Sequence, residues 1–286
     1  MTAVAQDREQ EAIMDDTDID PIRDYLQFRE DGALGIRPLG ENSLEHYETI
    51  LRRMDLGLQA GILGSTTDEI RAWICRPGRS ASTRSNYIAI VRGYVRWAVA
   101  ERWIDYDTTV RLPNIPTPPG RPKPWPEEAL ADIRARAAAP WALAIDLSSY
   151  GGLRCIEISR LDREHVTSRV TRLWGKGGKY RDVPTHPYIW ERVESMPAGP
   201  LMVGARTKMR MTPNSISVGV RAHLKTLGYP GFHNHMGRHR FGTRAYQTSG
   251  HDIRAVQELL GHSSIATSQR YVDVAEGALA SAVAGL

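Results

Sequence analysis

Two histidines, an arginine and a tyrosine lie close together near the end of the sequence. His235, Arg238, His262 and Tyr271 fall within 37 residues. A guanidinium can hold two oxygens of a phosphodiester, an imidazole can move protons, and a phenol can attack phosphorus. These groups could therefore cleave a phosphodiester without a metal. Because a chain with nine histidines and 32 arginines contains about one His-x-x-Arg match by chance, the spacing alone is weak evidence.

Two cations far upstream could complete such a set. Arg154 follows two glycines and has Glu157, a candidate ion-pair partner, three residues later. Lys176 is one of only five lysines and lies in the glycine-rich stretch 175–179. That stretch lacks the spacing and the Ser/Thr of a Walker phosphate loop, so it predicts the tip of a hairpin instead.

Each of these residues also has a simpler explanation when it is taken alone. His235 and Arg238 could be a surface pair on one helix face, because residues three apart are neighbours there. Most tyrosines pack in a core, which would account for Tyr271. Lys176 could be a solvated turn residue, and Arg154 could be half of a buried ion pair.

The elements that must position these residues are mostly helices. Apolar residues recur at intervals of three and four in residues 44–58 and 87–98. Thr66 to Glu69 resembles a capping box, and a short helix near residues 21–29 would complete a four-helix bundle. No residue of this bundle suggests catalysis. Its arginines could form a solvated face or contact phosphates.

A proline-rich segment separates this bundle from the candidate site. Such a run excludes helix and central strand, because proline has a fixed φ and no N–H. It predicts an extended, semi-rigid linker. Seven of the 17 prolines lie in it: Pro113, Pro116, Pro118, Pro119, Pro122, Pro124 and Pro126.

The second part of the chain mixes helices with one hairpin. Helices are predicted after Pro126, over residues 141–147 and after Thr212, and two β-rich runs flank the turn at 175–179. An unbroken helix would separate His262 from Tyr271 by ~13.5 Å, so we expect a break at 261–264 that begins at Gly261.

Composition bounds the class of protein. The chain has 286 residues, 41% hydrophobic and 24% charged, with no apolar run near the ~20 residues of a membrane span and no signal peptide. Cys75 and Cys155 are the only cysteines and lack metal-ligand spacing. So few cysteines favour a reducing cytoplasm.

Charge is distributed unevenly. Residues 1–31 hold ten acidic and three basic side chains, a net charge of −7 against +4 for the whole chain, so the remainder carries +11. That remainder could attract polyanions. The excess of arginine over lysine fits either phosphate recognition or codon bias in a GC-rich genome.

Taken together, the motifs resemble the tyrosine recombinases, or phage integrase family. The resemblance covers roughly residues 127–275 and extends less closely to the N-terminal helices. Gly237 departs from it, because the family usually has a bulky apolar residue there. Residues 152–158 resemble the first arginine box, 175–177 the hairpin lysine, 235–239 the second box, and 259–262 with Tyr271 the last helix and the nucleophile.

The resemblance implies a role for six residues, with no cofactor and no metal. Tyr271 would attack phosphorus and His235 would be its general base, while His262 would donate a hydrogen bond to the phosphate. Arg154 and Arg238 would clamp the phosphate, and Lys176 would protonate the leaving 5′-oxygen. Glu157 would support the site. The break expected at 261–264, rather than the resemblance, suggests that the segment carrying Tyr271 docks only in the assembled complex.

The expected fold is mainly α with a small antiparallel β-hairpin. It would comprise an acidic flexible leader (1–19), a helical DNA core-binding domain (20–112), the proline-rich linker (113–126), a mixed α/β catalytic domain (127–272) and a C-terminal tail helix (273–286). An apolar stripe in that tail could pack on its own domain or on a neighbouring subunit.

The expected function is that of a site-specific DNA recombinase. Its partners would be double-stranded DNA, three further copies in a homo-tetramer on two DNA sites, and an accessory DNA-bending or directionality protein, with no membrane. Alternatives are an Xer-like chromosome-dimer resolvase, a type IB topoisomerase-like enzyme and a non-catalytic DNA-binding protein. The sequence does not reveal the DNA target.

Overall fold

The computed structural model describes residues 19–32, 36–117, 120, 122–174, 180–261, 268–269 and 271. Several predicted features therefore lie outside the described residues. These are the leader up to residue 18, the glycine-rich turn with Lys176, His262 with the rest of the predicted break, and the tail helix. The chain divides into two compact units, Met1–Pro118 and Pro119–Leu286.

Among its described residues, the N-terminal unit contains four helices, three of which begin at a side-chain cap. They are α1 (Pro21–Asp31), α2 (Glu41–Asp55), α3 (Thr67–Ile74) and α4 (Ala81–Ala100). Asp20 caps α1, and the predicted capping box between Thr66 and Glu69 is confirmed at the start of α3. Capping satisfies backbone N–H groups that a helix start leaves unpaired.

The core of this unit is built on α4, which contacts each of the other three helices. Tyr25, Tyr94 and Trp97 form an aromatic cluster at its centre. The predicted stripe at 44–58 extends past the end of α2, which stops at Asp55. There a carboxylate oxygen of Asp55 accepts a hydrogen bond from the N–H of Ile62 at 2.7 Å, which fixes the turn that follows.

The C-terminal unit packs helices around one almost fully buried helix. Its elements are α5 (Glu127–Arg136), α6 (Trp141–Tyr150), α7 (Cys155–Arg160), a 3-10 turn (Arg163–His165), β1 (Val170–Trp174), β2 (Tyr180–Pro184), α8 (Pro187–Val193), α9 (Pro213–Thr226), α10 (Asn234–Thr248) and α11 (Ile253–Leu260). Eight consecutive residues of α6 are buried, because α8, α9 and α10 all pack against it.

Gly237 is the departure from the family pattern, and the packing of α10 on α6 explains it. A Cβ at this position would lie 2.6 Å from the Ser148 hydroxyl and 3.1 Å from the Trp125 ring. Real Cβ atoms essentially never come as close as 2.6 Å to another heavy atom, so a larger residue would require the Ser148 side chain or α10 itself to shift. Glycine therefore allows a closer approach of α10 to the core.

The predicted hairpin is confirmed as a two-stranded antiparallel sheet. Leu173 pairs with Arg181, and Trp174 pairs with Tyr180 at the end nearest the turn. Leu173 and Val183 are buried on the inner face, whereas an ion pair between Arg172 and Asp182 lies on the outer face. The fold class predicted from the sequence, mainly helical with a small hairpin, is thus confirmed. Among the described helices, none is long and apolar enough to cross a membrane.

Candidate active site

Arg154 lies at the point where the chain enters α7. Gly152 precedes it with a φ of +67°, and a Cβ at Gly152 would lie 2.5 Å from the Phe241 ring, so glycine suits both the turn and the packing. The Arg154 Nη1 donates to Glu157 Oε1 at 3.1 Å and to the Leu260 carbonyl at 3.5 Å. Its side chain remains 37% exposed, so a ligand can approach it.

Arg238 lies on α10 and is only 1% exposed. Its guanidinium donates to the carbonyl of Gly152 and, at 2.7 Å, to that of Leu260. Burial, reinforced by the nearby Arg154 guanidinium, lowers the pKa of Arg238 to about 9. Arg238 therefore keeps its charge at neutral pH, and the two arginines meet at one carbonyl, that of Leu260.

That carbonyl belongs to the last turn of α11, where helix carbonyls carry partial negative charge. Gly261 ends the helix in the left-handed conformation with a φ of +59°, as the sequence predicts. A Cβ there would lie 2.8 Å from Arg181 Nη1. Glycine therefore allows the chain to end the helix directly against a third guanidinium.

Glu157 is the carboxylate shared by these cations. It pairs with Arg181 at 2.6 Å, with Arg154 at 3.1 Å and with Arg238 at 3.7 Å. Burial alone would raise the pKa of Glu157, but hydrogen bonds and charge from Arg181, together with the Arg154 N–H and the Arg238 charge, hold it below its ordinary value. Three guanidiniums around one carboxylate leave a formal charge of +2, which suits an anionic ligand.

Tyr271 packs against the same helix that carries Arg238. It is 2% exposed and contacts Gly242 so closely that a Cβ there would lie 2.5 Å from the phenol ring. Its hydroxyl lies 3.5 Å from Nδ1 of His239, and the His239 ring lies 4.5 Å from that of His235, centroid to centroid. One helix thus presents two imidazoles and an arginine beside the candidate nucleophile.

Comparison with known proteins agrees with this geometry. Residues 127–277, more than half of the chain, match the sequence model of the phage integrase family. The chain belongs to the phage integrase family. Members of this family, the tyrosine recombinases, cut and rejoin DNA.

Two relatives and one solved structure illustrate the similarity. Tyrosine recombinase XerC of Rhodospirillum centenum is 36% identical over 234 residues, which cover 71% of this chain and 66% of that protein. XerC of Azotobacter vinelandii is 32% identical over 217 residues, 68% of this chain and 70% of its own. A lambda integrase tetramer bound to a Holliday junction matches with a TM-score of 0.65 at 18% identity, over 92% of this chain and 83% of that chain, a likeness of fold.

The structure of this recombinase brings together four of the six residues predicted from the sequence. Arg154 and Arg238 share two partners, while His235 and Tyr271 both lie against His239. Lys176 and His262 lie outside the described residues, although the hairpin that leads to Lys176 and the helix end before His262 are described.

The sequence did not indicate a role for two residues of this site. His239 lies four positions after His235, a spacing that places both on one helix face and could have been noticed. Arg181 gave no comparable signal, because it contacts Glu157 across 24 residues of sequence. Formation of the hairpin is what brings Arg181 to Glu157.

Glu157→Gln is expected to weaken the fold in a pH-dependent way. A carboxylate whose pKa is lowered by folding stabilises the protein above its ordinary value of ~4.3, and this contribution is lost as pH falls through the lower, folded value. We therefore expect the wild type to be more stable than the variant by about 3 kcal/mol at pH 7, and the difference to shrink below pH ~4. Thermal unfolding at pH 3 to 7 measures it; a difference that stays constant over this range would contradict the role given to the carboxylate.

Proposed function

We propose that this recombinase cuts and rejoins duplex DNA through a phosphotyrosine at Tyr271. The Tyr271 oxygen would attack the scissile phosphorus, a 3′-phosphotyrosyl bond would form, and the bond to the 5′-oxygen would break. Attack by a 5′-hydroxyl of another strand would reverse the step. The observation that supports this most directly is that Tyr271 packs beside His239 of α10, the helix that also carries His235 and Arg238.

Charge neutralisation would come from Arg154 and Arg238, named here the phosphate clamp. A phosphodiester is anionic, so catalysis of its cleavage depends mainly on positioned positive charge. Both clamp residues bond the Leu260 carbonyl, and Glu157 lies between them. These contacts hold the two guanidiniums at fixed positions before DNA arrives.

Protons must move at both oxygens that change bonds. His235 would accept the proton of Tyr271, and the adjacent ring of His239 provides a path between them. Lys176 would protonate the leaving 5′-oxygen, and His262 would donate a hydrogen bond to the phosphate. Because the clamp and Lys176 supply the positive charge, the proposed reaction uses neither a metal nor a cofactor.

Tyr271 already packs against α10 in the single chain, which contradicts the expectation that its segment docks only in the assembled complex. Its burial nevertheless supports control of cleavage by assembly. A hydroxyl on a side chain that is 2% exposed must shift before it can reach a DNA phosphate. We infer that docking within a tetramer on two DNA sites supplies that shift. The lambda integrase structure is a tetramer on a Holliday junction, which accords with this stoichiometry. An accessory DNA-bending protein could assist, and the cytoplasm would be the place of action.

The N-terminal unit would form a DNA core-binding domain, joined to the catalytic domain by the linker at 113–126. Arg53, Arg76 and Arg84 lie near Arg79, and burial together with their charges lowers the pKa of Arg79. In the part of the chain that the structure describes, none of the four arginines has a carboxylate within ion-pair distance. A cluster of positive charge without its own counter-ions suits the backbone phosphates of DNA.

The test of the proposed function is covalent trapping. A nicked suicide substrate releases, after cleavage, a short fragment that carries the new 5′-hydroxyl. Because that hydroxyl is needed for rejoining, its loss makes the protein–DNA adduct accumulate. The proposal expects an adduct stable to SDS and destroyed by protease. Binding without an adduct would instead support a non-catalytic DNA-binding protein, and relaxation of supercoils without joint products would support a topoisomerase-like enzyme.

Lys176→Ala is expected to slow adduct formation by about 100-fold or more, because the leaving oxygen loses its proton donor. A substrate with a 5′-bridging sulfur should restore the rate, since a thiolate leaves without protonation. Lys179→Ala, three positions further along the sequence, is the matched control and should react as the wild type does. Failure of the sulfur substrate to rescue Lys176→Ala would remove this lysine from the acid role.

Arg76→Ala is expected to weaken DNA binding about equally for all sequences. Loss of one phosphate contact should reduce the slope of log K against log salt by about 0.9. Arg71→Ala is the matched control, because Arg71 lies in the same unit but already pairs with Asp68 at 2.9 Å, so its loss should not change the slope. Titrations from 50 to 200 mM salt measure both variants; equal slopes for Arg76→Ala and wild type would indicate a solvated face.

An Xer-like resolvase is the second candidate for the biological role, favoured by relatives that bear the name XerC. Gene context separates it from a phage or mobile-element integrase. Neighbouring phage genes and a repeated attachment core beside the gene would support the integrase. A gene without phage neighbours, whose product recombines two copies of one chromosomal site, would support the resolvase.

A further inference from the structure

We infer that Arg181 is a positioning residue that occupies Glu157 and so keeps the phosphate clamp positively charged, an inference that rests on the proposed function. Arg181 Nη1 donates to Glu157 Oε1 at 2.6 Å, and Nη2 donates to Oε2 at 3.2 Å. Both carboxylate oxygens are therefore engaged by one guanidinium, the geometry in which arginine binds a carboxylate most strongly.

The guanidiniums of the clamp residues hold weaker positions on the same carboxylate, while the uncharged backbone N–H of Arg154 donates to Oε2 at 2.8 Å. Arg154 bonds one oxygen at 3.1 Å, and Arg238 approaches the other only to 3.7 Å. Arg181 and Glu157 are 15% and 6% exposed, so water screens their attraction little. The negative charge of Glu157 is consequently neutralised first by Arg181, and the clamp keeps its charge for a phosphate.

Removal of Arg181 would leave the negative charge of Glu157 to the clamp guanidiniums. A buried carboxylate without its main partner would move toward the remaining cations, because an unpaired buried charge is costly. Arg154 and Arg238 would then bind Glu157 more closely and attract the DNA phosphate less. Arg181 thus acts through Glu157 and need not touch DNA.

The fold holds Arg181 in place from two sides. Its partner in the β ladder is Leu173, a buried residue of β1, so the backbone of Arg181 is anchored to the core. The far part of its side chain lies against Gly261, where a Cβ would come within 2.8 to 3.0 Å of Nη1, Cδ and Cζ. One side chain therefore joins the hairpin, the first arginine box and the end of α11.

The test compares Arg181→Met with Arg172→Met. Arg172 makes an equivalent two-bond ion pair with Asp182 on the same hairpin, but on its outer face. Both variants are assayed by adduct formation on two suicide substrates, one with a normal scissile phosphate and one with a neutral methylphosphonate. We expect Arg181→Met to be about 10- to 100-fold slower on the phosphate and clearly less impaired on the methylphosphonate, which needs less positive charge. Arg172→Met should match the wild type on both.

A second substitution separates positioning from damage to the fold. Glu157→Gln in the Arg181→Met background removes the charge that would neutralise the clamp, so the double variant should react faster on the phosphate than Arg181→Met alone. Thermal unfolding of every variant reports the folded fraction. Arg181→Lys, which keeps the charge but not the two parallel bonds, should fall between wild type and Arg181→Met.

The outcomes distinguish this inference from the function on which it rests. An equal loss on both substrates, or a double variant slower than Arg181→Met, would contradict the positioning role alone. Rescue of Arg181→Met by a 5′-bridging sulfur would also contradict it, because the defect would then lie in Lys176. Failure of the wild type to form any adduct would contradict the proposed function, and this role with it.

Discussion

Tyr271→Phe is expected to abolish the covalent adduct, with a rate at least about 10⁴-fold below that of the wild type. The substitution removes the only atom that would bond to phosphorus, and nucleophile deletions in other enzymes have effects of this order. The ring itself is retained, so its packing against Gly242 and the fold should persist. Gel electrophoresis in SDS with labelled suicide substrate measures the adduct.

Tyr246→Phe is the matched control for that experiment. Tyr246 is a buried residue of the same apolar cluster and lies on α10, close to Tyr271. Loss of its hydroxyl should leave adduct formation near the wild-type rate. An adduct formed by Tyr271→Phe as fast as by the wild type would exclude Tyr271 as the nucleophile, whereas loss in both variants would indicate a general fault of the cluster.

Arg238→Lys is expected to lower the rate of adduct formation by about 10²- to 10³-fold although the charge is kept. A lysine cannot reproduce the planar fork, so it cannot bond two fixed carbonyls and also reach a phosphate oxygen. The buried carbonyl of Gly152 would lose its Arg238 donor and that of Leu260 its closer donor, which costs about 2 kcal/mol of folding free energy. Single-turnover trapping and thermal unfolding measure the two effects.

Arg240→Lys separates these two effects. Arg240 lies two residues further along α10 and also bonds two partners, the Ser149 carbonyl and the Glu127 carboxylate. It should lose stability comparably but retain its rate per folded molecule. If in both variants the loss of activity equalled the loss of folded protein, Arg238 would have a structural role and no part in the clamp.

Much of the local structure followed from short stretches of sequence. The capping box at Thr66, the proline after Thr212 and the glycine at 261 each mark a helix end, and each is found where predicted. The β-rich runs on either side of residues 175–179 form the expected strands. These signals are reliable because capping and hydrophobic periodicity depend on residues only a few positions apart.

The candidate site was predictable as a set of residues but not as an arrangement. The order of the arginine, histidine and tyrosine motifs indicated the family. It did not indicate that both clamp residues would bond the Leu260 carbonyl, which lies 106 positions from Arg154. Nor did it indicate that His239 would be the imidazole beside Tyr271, because the tyrosine approaches α10 from a separate segment.

The sequence by itself therefore determined the helices, the hairpin, the family and the identity of the chemical groups. Only the tertiary structure decided how their charges are shared: Arg181 reaches Glu157, Gly261 ends α11 against Arg181, and Gly237 lets α10 lie close on α6. The physical reason is range. Caps and periodicities act between neighbours in the chain, whereas ion pairs and close packing join residues that folding alone brings together.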